Sequence, residues 1–351
     1  MDVCLFLAGM MLLAELARQA GVFDWLPGLA LRAARQSRLR LFTLIYVTGT
    51  LVTILLSNDA TAVVLTPAVL TAVRKARTDV MPCLFLCAFI ANAASFVLPV
   101  SNPANLVVYG SALPPLLHWL RTVALPSLVS ILATCAALYW TQRRSLQGTF
   151  PGLPEEMPLT PDGRRAAWSM VLAGCVLLVT SALGRDLGFP TFLAAIAAPG
   201  FQWRRARSIV LSVSWSVIPL VLGLFILVAA LNLQGASQAL AGVLAIFAGY
   251  HRATALLAAS GGVGLLSNLM NNLPAGLLTS TALATAPQFR EAVLIGIDLG
   301  PNLSVTGSLA TLLWLVALRR AEIEVSPWTF VRTGIVVVTP ALLPATLALL
   351  L

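Results

Sequence analysis

Long apolar runs dominate this chain, and the polar interruptions between and within them define its elements. Runs near the length needed to cross a bilayer's hydrocarbon occur at about 1–17, 82–112, 116–140, 167–184, 213–231, 288–318 and 329–351, with a shorter one at 189–203. Two further regions, 39–76 and 252–286, are apolar pairs broken midway by polar residues. The first breaks at Ser57-Asn58-Asp59-Ala60-Thr61, the second around Asn268, Asn271 and Asn272. Each predicts a re-entrant helical hairpin, because polar backbone at that depth is tolerated only where protein or a watery cavity covers it. Amphipathic stretches at about 22–36 and 234–249 precede the hairpins and suit the interface. The runs 82–112 and 288–318 are themselves interrupted, between Pro99 and Pro103 and between Gly300 and Ser308.

This order of elements occurs twice. A polar stretch at 141–166, carrying Pro151, Pro154, Pro158, Pro161 and three acids, reads as a cytoplasmic linker. It separates a first transport repeat at 1–140 from residues 167–351, which hold two spans and a second repeat. Each half reads span, connector, hairpin, interrupted span, span. The first hairpin opens from one side and the second from the other, so the repeats are inverted. The expected fold is an all-α polytopic membrane protein of the kind used by secondary transporters, which bind substrate at the repeat interface. At an offset of 206, Val100–Leu106 aligns with Thr306–Leu312, and Asn92 falls on Asp298.

Composition removes the soluble alternatives. With 59% hydrophobic and 10% charged residues, the 351-residue chain cannot hide its apolar surface from water by folding alone. A net charge of +9 would point to nucleic acid in a soluble protein, but here it follows topology. With the N-terminus outside, eighteen of the 22 Lys and Arg residues fall on cytoplasmic positions, and only Arg121, Arg185, Arg252 and Arg290 lie outside. The chain therefore reads as a multi-pass inner (plasma) membrane protein with the lipid bilayer, and no nucleic acid, as partner. Cys83 and Cys87, at i,i+4 spacing, read as small packing residues. His118 and His251 are too far apart in sequence to suggest a metal site. No glycine-rich phosphate loop precedes the sole lysine, Lys75, so neither ATP hydrolysis nor a cofactor is expected. Energy would come from an ion gradient or a separate ATPase.

The candidate chemistry lies at the four breaks. Asn58 can cap the returning arm of the first hairpin, and Asp59 beside it is a costly carboxyl near mid-membrane. Asn271 and Asn272 offer amide donors and acceptors without charge, which suits a small neutral polyhydroxy solute. Asn102 followed by Pro103 forms a cap and first-turn pair, with Asn105 one turn further in. Ser308 is the matching cap, flanked by Thr306 and Thr311. Asp298, in an otherwise apolar segment, is expensive to ionise and suits a proton carrier. The expectation is that Asn58, Asn102, Asn105, Asn271, Asn272, Thr306, Ser308 and Thr311 contact substrate, while Asp59 and Asp298 exchange protons.

At these residues the chain resembles the arsenical pump membrane protein (arsenite permease) family of the ion transporter superfamily. The matching stretches are Asn58-Asp59-Ala60, Leu65-Thr66-Pro67, Phe89–Ser95, Ser101-Asn102, Met270–Pro274, Gly296–Pro301 and Gly307–Trp314. The resemblance covers essentially the whole chain, although family members usually begin with additional membrane segments. It implies export of arsenite and antimonite as neutral hydroxides, coupled to proton entry and sometimes assisted by a soluble ATPase. The family often has an acid where this chain has Asn92 and a lysine where it has Asn302. Two other readings remain open: an inorganic or carboxylate anion carrier of the same fold, with or without sodium coupling, and a non-transporting membrane scaffold.

Overall fold

The structure is a computed structural model that describes residues 2–151, 158–198, 203–213, 215 and 217–351. Pro154, Glu155 and Glu156 of the linker, and residues 199–202 at the end of the 189–203 run, lie outside the described residues, as do the side chains of Arg204 and Arg205. Among the described residues the chain is helical, apart from loops and one isolated bridge between Ser37 and Thr149.

The first half comprises α1 (Asp2–Gln19), α2 (Val22–Ala33) and α3 (Arg38–Leu55). A return arm follows, built from the single turn α4 (Asn58–Ala60), a π-helical stretch Thr61–Leu65 and α5 (Thr66–Lys75). Next come α6 (Met81–Ala93), α7 (Pro103–Tyr109) and α8 (Leu116–Gln142). Beyond the linker lie α9 (Pro161–Ala182), α10 (Gly188–Ala197), α11 (Trp203–Ser212), α12 (Val217–Leu233) and α13 (Ala236–Ala248). The second hairpin is α14 (Arg252–Met270) and α15 (Asn272–Ala282). It is followed by α16 (Arg290–Leu299), α17 (Leu309–Arg320) and α18 (Pro327–Leu347).

Among the described residues, five helices are long and apolar enough to cross a membrane, or seven if the bent pairs α1–α2 and α12–α13 each count as one span. The segment expected at 189–203 is shorter than a span: α10 has 10 residues, about 15 Å of rise against a hydrocarbon core of about 30 Å. The interrupted spans are each a pair of short helices, α6 with α7 and α16 with α17, separated by 94–102 and 300–308.

The two halves pack alike. Both arms of the first hairpin lie on α2 and α6, and both arms of the second lie on α13 and α16. Each return arm also reaches across, the first against α17 and the second against α7. The outer helices α8 and α18 pack against each other along their length. The connectors match as well: α1 bends into α2 by 60° and α12 into α13 by 71°. Each bend is made by a glycine in the left-handed region, Gly21 (φ 75°) and Gly235 (φ 87°), where a side chain would be strained.

Close backbone approach sets the second hairpin against α16. A Cβ on Gly296 would sit 2.3 Å from the Ser260 carbonyl oxygen, and one on Gly300 would sit 2.2 Å from the Gly264 Cα. Nothing flexible can move aside there, so the crossing requires glycine. We expect Gly300→Ala to destabilise the purified protein by about 1–3 kcal/mol or more, the range for overpacking a tight core. Gly261→Ala on the same hairpin, where a Cβ meets nothing within 4 Å, should leave the melting temperature unchanged. Detergent melting curves of the two variants check this.

Candidate functional site

At the first hairpin the cap is Ser57 rather than Asn58. Ser57 is extended, and its Oγ accepts from the Ala60 N–H at 3.1 Å. Asn58 is buried, with its Oδ1 accepting from the adjacent Asp59 N–H at 2.9 Å. The π-helical turn that follows is closed by Thr66 Oγ1 donating to the Thr61 carbonyl, and Thr53 and Thr61 hydroxyls meet at 2.8 Å. This widened turn brings Asp59 to the wall of a cavity of about 530 Å³. The same cavity is lined by Glu15, Arg18, Asp24, Ser57, Arg320 and Pro103, the first residue of α7. Glu15 is buried and holds Arg18 with two bonds of 2.6 and 2.7 Å, while Gln19 donates to it at 2.8 Å.

The second hairpin turns on Asn271, which adopts φ 77° and caps α15 by accepting from the Leu273 N–H at 3.3 Å. Its Nδ2 donates to the Thr306 carbonyl at 3.4 Å, and the buried Asn272 donates its N–H to the Gly307 carbonyl at 2.9 Å. Asn268 Nδ2 bridges the Gly264 and Gly300 carbonyls, and Thr306 Oγ1 donates to the Asn268 carbonyl at 3.1 Å. The second break is thus stitched to the second hairpin through backbone oxygens.

Between the two breaks lies a buried polar core. Asp298 Oδ1 accepts from Ser95 Oγ and from Asn102 Nδ2, both at 2.5 Å. Asn102 also caps α7 through Oδ1, which accepts from the Ala104 N–H at 3.0 Å. The counterpart link runs the other way: Asn92 Nδ2 donates to Asn302 Oδ1 at 2.8 Å and to Thr311 Oγ1 at 3.3 Å. Asn302 in turn donates to the Phe89 carbonyl, and Ser308 caps α17 while meeting the Thr311 hydroxyl at 2.9 Å. Asp298 and Asn92, which align at the 206 offset, thus each bond to the opposite break, Asp298 to Asn102 and Asn92 to Thr311, although Thr311 aligns with Asn105 rather than with Asn102. Three oxygens in this core, Asp298 Oδ2, Asn92 Oδ1 and Asn105 Oδ1, are buried without a hydrogen-bond partner.

Of the expected site residues, the structure joins Asn102 to Asp298, Ser308 to Thr311, and Asn271 to the backbone of Thr306. Asp59 stands apart at the cavity, while Asn58 beside it is buried and does not line that cavity. Asn105 directs its Nδ2 to the Ser95 and Leu98 carbonyls, so it closes the first break as well as bordering the core. The sequence pattern marks Asn268 at the second break but does not single out Ser95 or Glu15, which carry no signal beyond a place in a small-residue run and near a helix end. Asn92, aligned with Asp298 at the 206 offset, and Asn302, a departure from the family pattern, bond to each other.

A double-mutant cycle tests that pairing. Asn92→Ala and Asn302→Ala should each destabilise by about 1–3 kcal/mol, because each leaves a buried polar partner unmet. The double variant should fall short of the sum by about 0.5–3 kcal/mol, the coupling typical of residues in one network. Melting temperatures in detergent give the comparison.

A family described as citrate transporter matches residues 1–318. The arsenical pump membrane protein of Yersinia enterocolitica is 30% identical over 97% of this chain and 84% of its own length. Its counterpart in Escherichia coli strain K12 is 29% identical with the same coverage. Among solved structures, the Alcanivorax borkumensis YdaH transporter superposes with a TM-score of 0.52, at 16% identity, covering 99% of this chain and 84% of that one. That likeness supports the fold. By the match over residues 1–318 the chain belongs to the citrate transporter family, and by similarity over nearly its whole length to the arsenical pump membrane proteins, as a multi-pass membrane transporter.

Proposed function

We propose that this secondary transporter exports arsenite and antimonite as neutral hydroxides across the inner membrane, in exchange for protons. The observation that carries the reading is the cavity of about 530 Å³ that ends on Asp59 at the first hairpin tip. It has room for a small hydroxide, with the Ser57 hydroxyl and the Asp59 carboxylate to meet its O–H groups. Two arsenical pump relatives spanning nearly the whole chain supply the substrate class.

The mechanism follows from how the cavity meets the polar core. Pro103 lines the cavity, and the preceding residue, Asn102, donates to Asp298. A movement of α7 that opens or closes the cavity therefore makes or breaks the hydrogen bond from the Asn102 amide to that carboxyl. Protonation of Asp298 neutralises it and weakens its hold on the two donors, while Asp59 exchanges its proton with the cavity water. Asn58, Asn271, Asn272, Ser308 and Thr311 supply further polar contacts as the repeats rock by alternating access. The arginine-rich ends face the cytoplasm in this scheme, the N-terminus lies outside, and a soluble ATPase could dock on that basic face.

A carboxylate anion is the second reading, favoured by the family's citrate transporter description and by Arg18 and Arg320 in the cavity. Charge favours the neutral solute. Those two cations share the cavity with three acids, Glu15, Asp24 and Asp59, and Arg18 is already bound by Glu15. A multivalent anion would enter a cavity of net negative charge.

Expression in an arsenite-sensitive host should lower cellular arsenic. Asp59→Asn and Asp298→Asn, both isosteric, should each reduce arsenite efflux at least about tenfold, the effect of about 1.4 kcal/mol. Unaltered cellular arsenic with a well-inserted wild-type protein would sink the substrate assignment, and citrate uptake in the same cells would favour the second reading.

A further inference from the structure

A second cavity, of about 660 Å³, adjoins the transport cavity on the arginine-rich side and shares Asp24, Ala68 and Thr71 with it. Among its described lining residues the charge is of the opposite sign. Arg32 and Lys75 line it against the single acid Asp24, and neither cation forms an ion pair among the described residues. Thr160 lines it too, and is the N-cap of the 22-residue helix α9, with Oγ1 accepting from the Gly163 N–H at 3.0 Å. Asp162 in that first turn is 3.7 Å from Arg165. The first turn of α9 is already satisfied by Thr160 and Asp162, so it is the two cations, Arg32 and Lys75, that favour an anion with several oxygens. The remaining wall is apolar, supplied by Leu31 and Ala72, and Trp25 stands half-buried on it. Leu29, one turn along α2, is 45% exposed. Tryptophan beside outward-facing leucine on an amphipathic helix is the composition of a bilayer interface.

We propose that this cavity binds the phosphate headgroup of an anionic phospholipid. Arg32 and Lys75 hold the phosphate oxygens, and the apolar wall and Trp25 receive the glycerol and the upper acyl chain. A free phosphate ion would use the cations but gain nothing from that wall. The occupant touches both α2 and α5, the return arm of the first hairpin, so it ties the interfacial connector to the element that carries Asp59. The binding claim stands independently of the transported solute.

The test uses the full-length protein, delipidated in neutral detergent. Native mass spectrometry and melting curves are recorded with phosphatidylglycerol, with phosphatidylcholine and with inorganic phosphate. Phosphatidylglycerol is expected to be retained at least fivefold more than phosphatidylcholine and to raise the melting temperature. R32Q/K75Q should abolish that preference while melting like the wild type in phosphatidylcholine, R32K/K75R should keep it, and R121Q, on the other side, should leave it intact. Equal retention of both lipids by the wild type, an unchanged preference in R32Q/K75Q, or inorganic phosphate stabilising as strongly as phosphatidylglycerol would each overturn the proposal.

Discussion

A helix broken inside a hydrocarbon layer exposes carbonyls and amides that no solvent will satisfy, and the rest of this architecture follows from meeting that demand. At the first break, the Ala93 carbonyl is met by Ser130, those of Phe96 and Val97 by the Trp119 indole, and those of Ser95 and Leu98 by Asn105. At the second, Asn268 meets the Gly300 carbonyl, Asn271 that of Thr306, and the Asn272 N–H that of Gly307. The polar residues that looked like a substrate shell thus divide into two groups. One group keeps the breaks folded. The other, centred on Asp298 and Asp59, has acceptor capacity left over or faces open space.

The two carboxyls occupy different surroundings, and that difference gives the transport scheme its direction. Asp298 is fully buried, gripped at one oxygen by two donors and free at the other. Asp59 is partly exposed on a cavity wall. Asn102 spans the gap, since one side chain both caps α7 and holds Asp298. A cap that is also a ligand makes the position of α7 sensitive to the state of an acid on α16, in the other half of the chain.

Much of this was legible in the sequence. The breaks announced themselves as polar residues in apolar runs, and Asn102-Pro103 and Ser308 declared their caps through a local rule that needs no tertiary information. The hairpin tip at Ser57–Thr61 was located correctly, but the cap was placed on Asn58. Both residues can cap, and only the extended backbone at Ser57, φ −179°, decides between them. Ser95 could not be singled out because its role depends on α16, some 200 residues later. The paired bends at Gly21 and Gly235 were present as letters, yet a glycine's left-handed conformation is visible only in the backbone.

The central claim is that solute and protons move in opposite directions through one set of carboxyls. It is tested most directly in proteoliposomes holding the purified protein and an interior pH dye, with arsenite applied to one side and no pH gradient imposed. The account predicts proton movement opposite to arsenite, at a fixed ratio of the two fluxes and without sodium. Arsenite flux with no accompanying pH change, or flux that requires sodium, would contradict it.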